Sequence, residues 1–297
     1  MKIRVLGSAA GGGLPQWNCG GENAVRVRAG DPALVPRSQA SLAVSADGER
    51  WSILGASPDL RDQFAGFAGL HPRPGTRDVP LDTVVLANAE LDHVLGLFVL
   101  REALSYRILS TPWVRDAVLR HNAAFRLLEP AWGTTPLDRP VALDAAGRLE
   151  ARFFPVPGKL PGWLRDLTRL HAETSVGVRI TDTKSGRRLV YAPGVRELDE
   201  GTQAELAAAD CRFVDGTFHT ANELARLRPG APDAFAMGHV PITGPGGSLP
   251  LLAGLRGRTF YCHMNGTNPI LDEKSEEAAR VRAAGIGIAA DGQELEL

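Results

Sequence analysis

Cysteine is scarce in this chain: three residues in 297, Cys19, Cys211 and Cys262, far apart and without a CxxC pair. That spacing excludes a disulfide framework or a zinc ribbon and suits a reducing compartment. A surplus of charge is missing too. The formal net charge is -1 and no long run of Lys or Arg occurs, so there is no basic surface to hold a polyanion, and nucleic acid is not an expected partner. No stretch approaches about 18 apolar residues, and the N-terminus enters a strand pattern directly, without the charged region and apolar core of a leader; a cytoplasmic location away from membranes is expected. Internal repeats and low-complexity tracts are also lacking, as is any linker that would cut the chain, so residues 1–297 are read as one domain. What is present, 44% hydrophobic and 23% charged residues, is enough for a substantial core.

Short apolar segments bounded by Gly, Pro or Asp predict strands at 3–6, 41–44, 51–54, 83–86, 106–110, 149–155, 175–181, 188–192, 211–215 and 258–263. Helical periodicity appears at 58–67, 93–103, 111–121, 199–209, 221–227, 249–255 and 274–284. In the opening half several strands adjoin with no helix between them. That order points to an α/β chain of two packed mixed sheets with helices on their outer faces, not to a uniform doubly wound sheet. The Pro- and Gly-rich stretches 68–80 and 228–247 read as surface loops.

The chemistry-bearing residues cluster where strands end. Residues 88–93 read Asn-Ala-Glu-Leu-Asp-His directly after the apolar run 84–86, a position at which α/β enzymes keep functional side chains. A carboxylate and an imidazole on one loop can face one cation, although a helix-capping Asp would also account for Asp92. His263 closes the strand at 258–263, and Asp215 closes the one at 211–215, where an Asp-Gly turn is the plainer alternative. His239 lies in a Gly-rich loop and His171 opens the segment before the strand at 175–181. His71 and His121 read as a turn residue and a helix-end residue. The glycine run 11–13 lacks the Gly-Lys-Ser/Thr of a phosphate cradle and is expected to let residues 8–13 pass beneath the metal loop as part of a pocket wall. Trp17 and Trp163 read as core residues, with pocket aromatics as the alternative. Arg61, Lys159 and Arg165 stand as unranked partners for a substrate carboxylate.

An Asp-His pair after a strand, a later His, an Asp closing a strand and a final His, in that order, resemble the metallo-β-lactamase fold superfamily. Within it the chain is similar to the pyrroloquinoline quinone biosynthesis protein B family. The likeness rests on Gly7 through Gly13 with Pro15-Gln16-Trp17-Asn18-Cys19, on Ala56-Ser57-Pro58-Asp59-Leu60-Arg61, Tyr191-Ala192-Pro193-Gly194, Val214-Asp215-Gly216-Thr217 and Met237-Gly238-His239, and on the stretch 265–272. The resemblance implies an αββα sandwich with a metal at the strand-end rim. It assigns Asp92, His93, Asp215 and His263 as metal ligands and His239 as a proton shuttle or a donor behind the ligands, with Glu90 and His171 forming a proton relay or a weak second-metal site.

Two departures from the family pattern refine this. The superfamily motif His-x-His-x-Asp-His is here Asn88, Ala89, Glu90, Leu91, Asp92, His93, without the leading imidazole pair. A single metal follows, and two imidazoles plus carboxylate with open positions is the ligand type of non-haem iron(II) oxygenases. That agrees with the activity the resemblance implies, hydroxylation of the tyrosine ring of a small peptide-derived precursor by iron(II) and dioxygen, with zinc as a substitute metal. A homodimer is compatible with this reading. The alternatives are a metal-dependent phosphodiesterase or other hydrolase, and a non-enzymatic carrier of the quinone product. The second departure is Cys19, which is followed by Gly20, Gly21, Glu22, Asn23 and Ala24, where the family commonly places two more cysteines around a structural zinc. One thiolate cannot close such a site, so no structural zinc is expected and the loop at 15–30 is held by other contacts or is mobile.

Overall fold

The computed structural model describes residues 1–102 and 105–297. The chain lays down β1 Lys2–Gly7, β2 Ser41–Ser45, β3 Trp51–Leu54, β4 Leu81–Val85, β5 Arg107–Ser110 and β6 Trp132–Thr134. It continues with β7 Val141–Ala142, β8 Leu149–Pro155, β9 Val176–Asp182, β10 Arg188–Ala192, β11 Cys211–Asp215, β12 Arg258–Cys262 and β13 Ile286–Ile288, and then β14 Glu294–Glu296. The last strand returns to the first set. One sheet therefore runs β14-β1-β2-β3-β4-β5-β6 and the other β13-β12-β11-β10-β9-β8-β7. Each is mixed: β14 to β3 and β7 to β10 pair antiparallel, whereas β3 to β6 and β10 to β13 pair parallel.

The sheets face each other across an apolar layer in which Ile3, Val5, Leu42 and Val44 meet Phe153, Val178, Ile180 and Phe213. Seven α-helices are found among the described residues: α1 Glu22–Arg28, α2 Leu60–Ala65, α3 Leu91–Val94, α4 Pro112–His121, α5 Glu200–Ala207, α6 Leu249–Ala253 and α7 Glu276–Ala283. Leu60, Val94, Val114 and Val118 carry α2, α3 and α4 onto the outer face of the first sheet. Val27, Leu206, Leu252 and Val281 carry α1, α5, α6 and α7 onto the second. The result is the αββα sandwich. Helix starts follow capping chemistry: the Thr111, Asp199 and Ser275 side chains accept from backbone N–H groups of Val114, Thr202 and Ala278, satisfying donors that the first turn leaves open. Among the described residues no helix is long and apolar enough to cross a membrane.

Four local expectations change. The helix read over 93–103 is a short α3 followed by a 3-10 turn at Leu95–Phe98, and its expected last residue, Ala103, lies outside the described residues. The segment 15–30 is not simply a loop. It contains α1, clamped by Asn23, whose buried amide donates to the carbonyls of Gly266 and Asn268, and by Arg26, which pairs with Asp31 and Asp272. The stretch 228–247 is likewise more than a surface loop, because Ala234, Val240 and Ile242 are buried and carry His239 inward. Trp17 is not core: it is 87% exposed.

Candidate metal centre

The parallel halves of both sheets send their C-terminal ends to one rim. From β4 the chain continues through Leu86 and Ala87 to Asn88, whose Oδ1 accepts the Glu90 N–H at 2.9 Å and turns the loop. The Val176 N–H donates to the Ala87 carbonyl, which ties this loop to the second sheet. Glu90, not Asp92, occupies the N-cap of α3, and its side chain does not cap that helix. Asp92 sits within the first turn and is free of the capping role. From the other sheet, β11 ends at Asp215 and β12 at Cys262. His263 then adopts the left-handed conformation, φ 57°, uncommon for a residue with a side chain and costing about 1 kcal/mol or more. The surrounding structure holds that turn, and it swings the imidazole toward Asp92.

His263 Nε2 lies 3.1 Å from Asp92 Oδ2, and His93 Nε2 lies 3.9 Å from the same oxygen. The His93 and His263 rings meet edge to face with centroids 5.3 Å apart. One donor atom from each of Asp92, His93 and His263 falls within 4.8 Å of the others, as a bound cation requires. His93 is buried, yet among the described residues neither of its ring nitrogens has a hydrogen-bond partner. A buried polar atom left unpaired costs about 1–3 kcal/mol, a cost that a cation beside Asp92 would relieve, so the donor set fits a metal.

The electrostatics of His93 and Asp92 agree with that use. Burial pushes the His93 imidazolium down to about 4 against the pull of Asp92, so the ring is neutral and its lone pair free near pH 7. Burial works against ionised Asp92, but His93 and the His263 hydrogen bond outweigh it and hold the carboxyl below the usual range. For His263, burial is outweighed by the Asp92 hydrogen bond and charge, which raise its pKa. Gly11 passes so close that a Cβ there would lie 3.2 Å from Asp92 Oδ2, so the bare backbone leaves room for the carboxylate. Ala10 and Gly11 form the pocket wall expected of this run, whereas the Ser8 hydroxyl turns away to Asp291.

Asp215, expected as a ligand, belongs to a second candidate metal group that shares His263 with the first. It groups with His239 and His263, not with Asp92 and His93. Both of its oxygens are already engaged: Oδ2 accepts the Val195 N–H at 2.8 Å and faces His239 Nδ1 at 2.7 Å, while Oδ1 accepts the Thr217 N–H at 2.9 Å and the Thr217 hydroxyl at 2.7 Å. Besides that place in a candidate metal group, this fully buried carboxylate works as an anchor. It orients His239 and, through Thr217, whose Oγ1 lies 2.9 Å from His263 Nδ1, also steadies that ring. Thr217 had no assigned role in the sequence reading. A hydroxyl two residues after a strand-ending Asp, in position to close a side-chain turn, is the signal that was available.

A cavity of about 210 Å³ opens onto these groups, with Glu90, Asp92, His93, Lys159, His239 and His263 among its walls. Burial raises the Glu90 pKa, opposed by Lys159, whose Nζ lies 3.7 Å from Glu90 Oε1. His171 is not brought here. It is exposed, and its Nδ1 accepts the Glu173 N–H, because 165–174 is a turn-rich surface segment. Of the three cations considered for a substrate carboxylate, only Lys159 reaches the cavity; Arg61 pairs with Asp62 in solvent and Arg165 is exposed elsewhere. Trp163 is half-buried on the adjoining surface and donates to the Ala89 carbonyl at 2.8 Å. Cys19 belongs to neither candidate metal group among the described residues.

Two mixed seven-stranded sheets, helices on both outer faces and a His/Asp cluster at the shared rim define the metallo-β-lactamase fold, and residues 50–264 match the family model described as a beta-lactamase superfamily domain. The chain is 41% identical over the full length of both chains to coenzyme PQQ synthesis protein B of Methylobacterium nodulans, and 38% identical, again over both full lengths, to the protein of that name from Azotobacter vinelandii. It belongs to the coenzyme PQQ synthesis protein B family. Its backbone matches the crystal structure of Zn(2+)-bound PqqB from Methylobacterium extorquens with a TM-score of 0.94 at 39% identity, covering all of both chains. A diphosphatase of the PhnP family, 20% identical with a TM-score of 0.69 over all of this chain and 97% of its own, shares the fold.

Proposed function

We propose that this chain is a metal-dependent enzyme of pyrroloquinoline quinone biosynthesis that hydroxylates the tyrosine ring of a small peptide-derived precursor, using iron(II), dioxygen and an external two-electron reductant, so that one oxygen atom enters the ring and the other leaves as water. The observation that carries the reading is the buried His93 ring, with both nitrogens unpartnered, beside Asp92 and His263. Two imidazoles and one carboxylate, with the remaining directions facing a cavity, form the ligand set of non-haem iron(II) oxygenases. Iron(II) held by Asp92, His93 and His263 would supply the activation of dioxygen that an aromatic hydroxylation needs.

The remaining roles belong to the protein. Asp215 accepts from Nδ1 of His239, which leaves Nε2 as the ring's basic nitrogen. His239 is then suited to take up the proton released when the hydroxylated ring regains aromaticity. Thr217 and Asp215 hold His263 and His239 in register, and the narrow cavity restricts how the phenol can enter. The test is oxygen consumption by anaerobically prepared, iron(II)-loaded protein offered glutamyl-tyrosine together with ascorbate as the two-electron reductant. About one iron per chain with substrate-dependent oxygen uptake is expected, and His263→Ala should abolish both; turnover retained by that variant would sink the reading.

A second reading, a zinc-dependent hydrolase, is favoured by the same three side chains, since two imidazoles and one carboxylate also make catalytic zinc sites. Cleavage of a chromogenic phosphodiester by the zinc-loaded protein without oxygen would select it.

A further inference from the structure

We propose that Lys159 docks a carboxylate of the substrate and so restricts this site to acidic, peptide-derived ligands, a refinement that rests on the tyrosyl-substrate reading above. Among the described residues, Lys159 is the one Lys or Arg in the cavity wall, where it shares the lining with Glu90 and Asp92. A ligand carboxylate therefore finds a single protein ammonium there. Its side chain is 41% exposed, within reach of an entering ligand, and its Nζ holds Glu90 at 3.7 Å, a separation looser than a direct charge-assisted hydrogen bond. The ammonium is thus held at the wall without being consumed by its partner.

The lysine stem is also placed. Gly238, at φ +86°, passes against it so closely that a Cβ would come within 2.8 Å of Lys159 Cγ, so the loop that brings in His239 also confines the lysine. Carboxylate docking and proton handling are thereby set by adjacent residues of one loop. A charge-assisted bond to a half-exposed ammonium should contribute about tenfold in affinity, the low end of what such bonds give when buried.

The experiment is calorimetric binding to zinc-loaded protein without oxygen, so that no turnover is required. The probes are glutamyl-tyrosine and glutaminyl-tyrosinamide, which has nearly the same shape but no carboxylate. Wild type should prefer the acid by about tenfold, Lys159→Met should bind both alike, and Lys159→Arg should keep most of the preference. Equal binding of the two probes by wild type, no binding of either, or an unchanged preference in Lys159→Met would each overturn the proposal. Should Lys159→Met fail to fold, the wild-type preference and its persistence in Lys159→Gln decide. Intact acid preference with no oxygen uptake would leave the docking role standing and remove the hydroxylase reading alone.

Discussion

The carboxylate of Asp215 lies 2.7 Å from Nδ1 of His239 and fixes which nitrogen of that ring can accept a proton in the cavity. Because a carboxylate accepts only, Nδ1 carries the hydrogen and Nε2 the lone pair. His239→Ala should then lower the rate of tyrosine hydroxylation by about 10²-fold or more, the scale of a lost proton-transfer group, while iron content stays near that of wild type. Steady-state kinetics paired with metal analysis checks this; a variant that lost its iron would identify His239 as a ligand instead.

Loss of His93 separates metal binding from folding. The metal-free protein already bears the cost of two unpartnered ring nitrogens, so His93→Ala should unfold at nearly the temperature of metal-free wild type. Wild type should rise by several degrees on addition of saturating metal, since ligand at about 100 times its Kd adds about 2.7 kcal/mol, and the variant should not respond. Differential scanning calorimetry with and without zinc makes the comparison. An equal metal-induced rise in both proteins would place the cation elsewhere.

Ten strands were legible because each is an apolar run closed by turn residues. The four that escaped, β6, β7, β13 and β14, are two or three residues long; Glu294–Glu296 is an edge strand with charge at both ends, so no apolar run marks it. Asp92, His93 and His263 could be read from their places at strand ends. Asp215 could be read in the same way, but the four hydrogen bonds by which it anchors Thr217 and His239 could not, because a strand-end position does not say which groups converge on a carboxylate. His171 fitted the order of the family motif, but order along the chain does not fix on which side of a loop a ring emerges. α1 was hidden behind Gly20 and Gly21, which read as loop residues, and its hold on the site comes from Asn23, 243 residues before the carbonyl of Gly266.

That hold is testable. Asn23→Ala removes two buried donors and leaves the carbonyls of Gly266 and Asn268 without them, in the loop that follows His263. A loss of about 2 kcal/mol is expected, two net hydrogen bonds at about 1 kcal/mol each, together with weaker metal binding from a loosened loop. Urea unfolding and metal titration measure the two effects. An unchanged midpoint in both would mean that α1 is no brace.

Glu223 sets a pH dependence away from the metal. Its carboxyl is buried, accepting from the His219 N–H and from the Thr267 hydroxyl, and burial pushes its pKa from 4.5 up to about 7 against those hydrogen bonds. Between these values the folded protein keeps a proton that the unfolded chain releases. Its contribution is therefore neutral below about pH 4.5, becomes increasingly unfavourable as pH rises to about 7, and levels off above that. At about 1.4 kcal/mol per pH unit, the full effect is on the order of 3 kcal/mol. Glu223→Gln cannot ionise, and its amide can accept from His219 while donating to Thr267. The variant should match wild type near pH 4.5 and exceed it by a few kcal/mol at pH 8. Since other groups titrate equally in both proteins, the difference between their urea unfolding free energies isolates this carboxyl. A difference that stays flat from pH 4.5 to 8 would mean that Glu223 ionises in the folded protein as readily as in the unfolded chain.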